Sequence, residues 1–203
     1  MSDSPAYSVV SNPEARLEDV RWFDKSNTCD GRGRETASSR GYNAERLAHV
    51  VMNEIGFRSV SSESWYDDYA TPTGNMSYEV EVKSCIDRYE TASGEEGGYG
   101  QFRIWKQHHD QLLEEHEKMA QYGQEGVYFF VVYTVEWSVE REIGKLVAPI
   151  EMVDDVLNTW RVSDHVTMGE KKNRQISWRL LLKKLGVSRD RFENEPIVSL
   201  LND

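Results

Sequence analysis

From Gly126 the chain reads G-V-Y-F-F-V-V-Y-T-V, ten residues without a charge and rich in β-branched and aromatic side chains. A strand with one face in water alternates apolar and polar residues, and this run does not. It therefore predicts a strand covered on both faces. Such a strand needs a layer above and a layer below it, which places the chain in the α/β class: a mixed sheet flanked by helices.

The remaining elements follow from local signals. Asn43 is read as a helix cap, accepting from free N–H groups of a first turn, and Ala44, Leu47, Ala48, Val51 and Ile55 recur behind it at helical spacing. Gly56 suits a left-handed stop, and Phe57 to Val60 a strand. A strand-like stretch begins near Trp65, T-P-T-G-N from Thr71 marks a turn, and Met76 to Cys85 alternates as a strand. Residues 87–100, rich in Gly, Glu and Ser, predict a mobile loop. A long helix is expected from Phe102 to Tyr122, on a stripe of Ile104, Trp105, His108, Leu112, Met119 and Tyr122. Lys145 to Pro149 reads as a strand. Met152 to Trp160 and Ile176 to Leu185 read as helices, the second with Lys183 and Lys184 near its end. The expected division is an irregular arm at 1–40, an α/β core at 41–149 and a mostly helical C-terminal extension at 150–203.

Composition limits the partners. The chain has 203 residues and a net charge of -11, from 35 acidic and 24 basic residues. Such a surface repels nucleic acid at long range. A DNA partner then requires basic groups or metal ions gathered in one cleft, or a surface evolved for high salt, where distant charges are screened. An ordinary acidic cytoplasmic protein is the competing reading. No apolar run is long enough for a membrane span, and the opening M-S-D-S-P-A-Y does not read as a secretory signal. Two cysteines, Cys29 and Cys85, cannot make a zinc site alone and are expected as free thiols.

The strand around Tyr78, Y-E-V-E-V-K-S-C, carries Glu79, Glu81 and Lys83 on one face. Phosphodiester hydrolysis with a divalent metal needs carboxylates to hold Mg²⁺ and benefits from a lysine beside the attacking water and the growing negative charge. A hairpin returning through T-P-T-G-N would bring Asp67 or Asp68 beside Glu81 and Lys83.

These residues resemble the PD-(D/E)XK nuclease superfamily, and within it archaeal Holliday-junction resolvases and Mrr-like restriction endonucleases. G-Y-N-A-E-R-L from Gly41 is similar to the opening of the resolvase helix, and I-G-F from Ile55 to its end. The resemblance implies a restriction-endonuclease-like fold with an additional C-terminal α/β tail. It implies that Glu45, Asp68, Glu81 and Lys83 are catalytic, with Asp67 competing for the aspartate. Glu45, Asp68 and Glu81 would be metal ligands, for Mg²⁺ with Mn²⁺ as a substitute. Gln101, Gln107 and Gln111 are candidates for a supporting glutamine. The likeness covers about Gly41 to Val135, and the aspartate departs from the family pattern in lacking a preceding proline.

The expected activity is a metal-dependent DNA endonuclease, restriction-like or repair- and junction-resolving. A catalytically inactive nuclease-like binding or regulatory protein is the alternative, and an unrelated α/β domain the third reading. Arg32, Arg34, Arg40, Arg46, Arg103, Lys106, Lys171, Lys172, Arg174 and Arg179, with Trp178 among them, are candidate DNA contacts, and the tail is a candidate DNA-recognition or homodimer element. Each residue also has a plain reading. Glu81 and Lys83 would sit on a solvated strand face, Asp68 would cap a turn, Glu45 would favour a helix N-terminus, and the basic groups would balance nearby acids. His108, His109 and His116 read as a helix face rather than a metal site, and Cys85 as a small buried residue.

Overall fold

The computed structural model describes residues 37–201, apart from 55, 62–66, 71–75, 91–95, 137–138 and 164–170. The turn T-P-T-G-N, the Trp65 stretch, most of the expected arm and Cys29 lie outside the described residues.

The first helix, α1, spans Ala37–Glu54. It begins earlier than the expected cap, so Asn43 is a buried mid-helix residue rather than its N-terminus. Ala44, Leu47, Ala48, Val51 and Met52 form its apolar face. Gly56 follows with φ at 96°, the left-handed geometry that glycine adopts without a Cβ penalty. Strands β1 (Arg58–Ser61), β2 (Asp67–Ala70) and β3 (Ser77–Ile86) then run as an antiparallel meander.

Residues 87–100 hold a two-stranded antiparallel ribbon, β4 (Arg88–Glu90) with β5 (Glu96–Tyr99), where the sequence predicted a loop. Backbone pairing there requires no apolar side chain. The expected helix from Phe102 to Tyr122 is also divided. Gln101–Trp105 is a strand, β6, whose Phe102 and Ile104 alternate inward. The helix proper, α2, is Lys106–Met119, and a 3₁₀ turn at Ala120–Tyr122 ends at Gly123 with φ 80°. Tyr122 is exposed, not part of an apolar stripe.

The apolar run becomes β7 (Gln124–Glu136), buried from residue 126 to residue 133. It pairs in parallel with β3 and antiparallel with β8 (Val139–Pro149), a strand longer than expected. Beyond it come α3 (Ile150–Val156), β9 (Arg161–Ser163), β10 (Lys171–Ser177), α4 (Trp178–Lys184), α5 (Arg189–Asn194) and β11 (Val198–Ser199). Both expected C-terminal helices are shorter than read. α3 stops at Val156, and Ile176 belongs to β10. Ser177 caps α4, its hydroxyl accepting from Leu180 N, so the helix starts one residue later at Trp178.

The main sheet has the order β1-β2-β3-β7-β8-β11, and a second has β6-β10-β9. The two faces of the main sheet carry two cores. α1 packs on Tyr69, Tyr78, Val80, Val127, Phe129 and Val131. The other face gathers Cys85, Tyr128, Phe130, Val132 and Leu146 with Leu112 of α2, Val153 of α3, Ile176 of β10 and Trp178 of α4. This is the mixed sheet with helices on both sides that the apolar run demanded, and the C-terminal segment is part of its second core.

Candidate active site

Strand pleating divides β3 between the two layers. Tyr78, Val80 and Val82 meet the α1 layer, while Glu79, Glu81, Lys83 and Cys85 share the face toward α2. Glu81 is 4% exposed and Glu79 is 6% exposed, so this is not a solvated strand face. Cys85 is a buried free thiol.

Lys83 Nζ donates to Glu81 Oε1. His108, from the first turns of α2, places Nδ1 3.8 Å from the same oxygen. Burial alone would raise the Glu81 carboxyl. The Lys83 charge, the nearby His108 ring and the hydrogen bond from Lys83 outweigh it, holding Glu81 below the ordinary carboxylate range. A buried carboxylate kept ionised by a lysine is an acceptor-only group ready for a cation or a polarised donor. Beside it, Glu79 accepts from Gln124 Nε2 at the start of β7.

The parallel register sets Tyr128 of β7 against Glu81. Burial, reinforced by Glu81, Asp154 and Asp110, pushes the Tyr128 phenol well above its usual range, so it keeps its proton. Tyr128 Oη lies 2.9 Å from His109 Nδ1, and His109 Nε2 lies 3.0 Å from Asp154 Oδ1 on α3. A carboxylate only accepts, so His109 Nε2 donates to Asp154, and Nδ1 faces the phenol. Adjacent histidines thus serve different neighbours: His108 turns to Glu81, and His109 joins β7 to α3. Farther along, His116 Nδ1 accepts from Gly126 N at 3.1 Å while Nε2 reaches Glu151 Oε1 at 2.8 Å.

The other expected site residues fall as follows. Asp68 pairs in register with Glu79 and Asp67 with Val80. Directly opposed positions share a face, so the Asp68 position belongs to the Glu79–Glu81–Lys83 face and the Asp67 position to the α1 face. Glu45 is exposed on α1, whose buried face packs across the sheet from Glu81. Gln101 lies on β6, and Gln107 and Gln111 lie on α2. Gln124, the amide that bonds Glu79, was missed because it precedes the apolar run and belongs to no motif. Among the described residues no group of three His, Cys, Asp or Glu side chains is gathered to hold a metal ion. The oxygen donors of Glu79 and Glu81 are nonetheless the hard ligands that Mg²⁺ or Mn²⁺ takes.

Of the candidate basic contacts, Arg32 and Arg34 lie outside the described residues. Arg179 is engaged with Tyr99, its guanidinium 4.3 Å from the ring centroid. Trp178 is a core residue, 1% exposed, and not a DNA contact. Its indole N–H donates to Asp87 O. No helix among the described residues is long and apolar enough to cross a membrane.

A family model described as the PD-(D/E)XK nuclease superfamily domain matches residues 31–183, well over half of the chain. No curated protein matches it. Among solved structures, the chain is similar to Hjc of Archaeoglobus fulgidus, a Holliday junction resolvase from an archaeal hyperthermophile. The identity is 14% and the TM-score 0.37, covering 74% of this chain and 98% of that one.

Proposed function

This chain belongs to the PD-(D/E)XK nuclease superfamily, and from that premise we propose that it is a metal-dependent DNA endonuclease in a restriction-like, repair or junction-resolving role. The observation that carries the reading is the buried Glu81–Lys83 pair on β3. Removing an ion pair from water costs as much as its attraction returns, so stability alone is a poor reason to keep one there. Held groups with shifted protonation are what a hydrolytic site uses.

In this reading Glu81 and Asp68 supply carboxylate oxygens, and the register supports Asp68 over Asp67; Glu45, exposed on α1 across the sheet, would contribute only through water. A bound Mg²⁺, or Mn²⁺ in its place, would polarise the scissile phosphate and make a water more acidic. Lys83 faces the phosphate oxygens and stabilises the negative charge that grows on them. His108 keeps Glu81 ionised and in place. Gln124 fixes the Glu79 carboxylate beside it.

The test is single-turnover cleavage of DNA with saturating Mg²⁺ or Mn²⁺. Lys83→Ala should remain folded, bind DNA nearly as well, and cut roughly 100-fold or more slowly, the scale of losing one well-placed electrostatic contact. Equal rates would remove Lys83 from the chemistry. A folded wild-type protein that binds DNA and never cuts it would favour the inactive, binding-only reading instead.

A further inference from the structure

Where α2 leaves the second sheet, a cleft of about 490 Å³ opens, lined by Trp105, by Gln107 and Gln111, by Lys106, Lys171 and Lys172, and by the carboxylates of Asp110 and Glu114. Its lining carries three lysines against two carboxylates, and both carboxylates are paired with lysines. Lys106 is tied to Asp110 at 2.6 Å, and Glu114 to Lys118 at 2.9 Å. Among the described residues Lys171 and Lys172, both exposed on β10, have no carboxylate partner. Two cations are thus offered to a ligand by a chain whose net charge is -11.

Gln107 and Gln111 stand one helical turn apart on α2, so their amides lie on one face. Each amide both donates and accepts, which is what the edge of a nucleobase requires. Trp105 contributes an indole to the same wall. The volume falls in the range of small-ligand clefts, about 300–1,000 Å³, and takes one nucleotide rather than a duplex. Its position completes the argument. Gln107 and Gln111 flank His108, whose ring faces Glu81. The cleft and the Glu81–Lys83 pair therefore meet the same helix, α2, at neighbouring residues.

We propose that this cleft holds an unpaired nucleotide of the DNA strand next to the cut, with Lys171 and Lys172 on its phosphates and Gln107 and Gln111 on its base. The proposal rests on the endonuclease reading for its substrate. It makes the preferred substrate a DNA with a single-stranded or splayed segment at the cleavage point.

Anisotropy of a fluorescein-labelled 12-nucleotide strand and its matching duplex, in buffer with chelator, tests it without cleavage. The wild type should prefer the single strand. The double variant Lys171→Gln/Lys172→Gln should bind it about tenfold or more weakly, with the salt slope reduced by about 1.4, the single-strand value for two phosphates. Gln107→Ala/Gln111→Ala should weaken binding with the slope unchanged. Lys183→Gln/Lys184→Gln removes the same charge from exposed positions on α4 and should bind as the wild type does. Equal single-strand binding by the wild type and the two cleft variants, or equal weakening by both lysine pairs, overturns the cleft. Cleft-dependent binding with no cleavage in Mg²⁺ or Mn²⁺ keeps the cleft and removes the endonuclease reading.

Discussion

His108 Nδ1 stands 3.8 Å from Glu81 Oε1, the oxygen that also receives the Lys83 ammonium. A lysine donor from the strand itself and an imidazole from a helix converge on one buried carboxylate.

His108→Ala should therefore let the Glu81 carboxyl drift upward, since one of the groups opposing its burial is gone. The acidic limb of the cleavage pH–rate profile should move to higher pH, and the rate at neutral pH should fall by about tenfold, the scale of a hydrogen bond to a charged group. A carbon-detected titration of the Glu81 carboxyl, run without metal, reads the same shift independently of activity. An unmoved Glu81 titration would place His108 outside the site.

Two carboxylates, the buried Glu81 and the half-buried Glu142, should give stability slopes of opposite sign. Glu81 has a lowered folded pKa, so its contribution is present above the unfolded value of about 4.3 and is lost as pH falls through the folded value. Burial raises Glu142, against the opposing charge and hydrogen bond of Lys145, so its contribution is present below about 4.3 and is lost as pH rises through the folded value. The stability of the wild type minus that of Glu81→Gln should grow from acid to neutral pH. The wild type minus Glu142→Gln should shrink over the same range. Urea denaturation in chelator at several pH values checks both signs.

Among the described glycines, Gly100 is the most tightly enclosed. A Cβ there would lie 1.5 Å from Ile86 O, while Gly100 N donates to Asp87 O at 2.8 Å and Gly100 O accepts from Trp178 N at 3.1 Å. Gly100→Ala must part the ends of the β4–β5 ribbon and its seat on α4. It should cost about 3 kcal/mol or more, at the upper end of overpacking. Gly98→Ala, which meets nothing within 4 Å, is the matched control and should be near neutral. Thermal melts of the two variants give the comparison.

His109→Phe should leave the Tyr128 hydroxyl buried without its partner and cut the link from β7 to Asp154 of α3. The expected loss is about 1–3 kcal/mol in equilibrium unfolding. Tyr128→Phe removes the hydroxyl itself and should cost less. In the His109→Phe/Tyr128→Phe double variant the losses should fall short of additive, because both act on one contact.

What was legible in the sequence is what one residue or one period decides. The charge-free run from Gly126 announced a strand with two covered faces, and Gly56 announced its left-handed stop. E-V-K gave the shared face of Glu81 and Lys83 because alternation is fixed by the strand itself. The division of Phe102–Tyr122 was hidden because two patterns overlap. Ile104, His108 and Leu112 recur at helical spacing, and Phe102 and Ile104 also alternate as a strand. Strand won at 101–105 because β10 pairs with it, a partner some seventy residues away. The same non-local cause separates Asp68 from Asp67, which no local signal could rank, and makes His108 a buried neighbour of Glu81 rather than a helix-face residue.

The pairing of β6 with β10 also orders events in time. A ribosome delivers Gln101–Trp105 long before Lys171–Ser177. Until then Phe102 and Ile104 lack Ile176 against them, and one edge of β6 is an open template for a neighbouring chain. E-V-K and its parallel partner β7 are already made by that point, but the cleft still lacks Lys171 and Lys172. The proposed cleft gains its two exposed lysines only once β10 has been made, and a premature stop before residue 171 should leave a product that aggregates rather than one that binds.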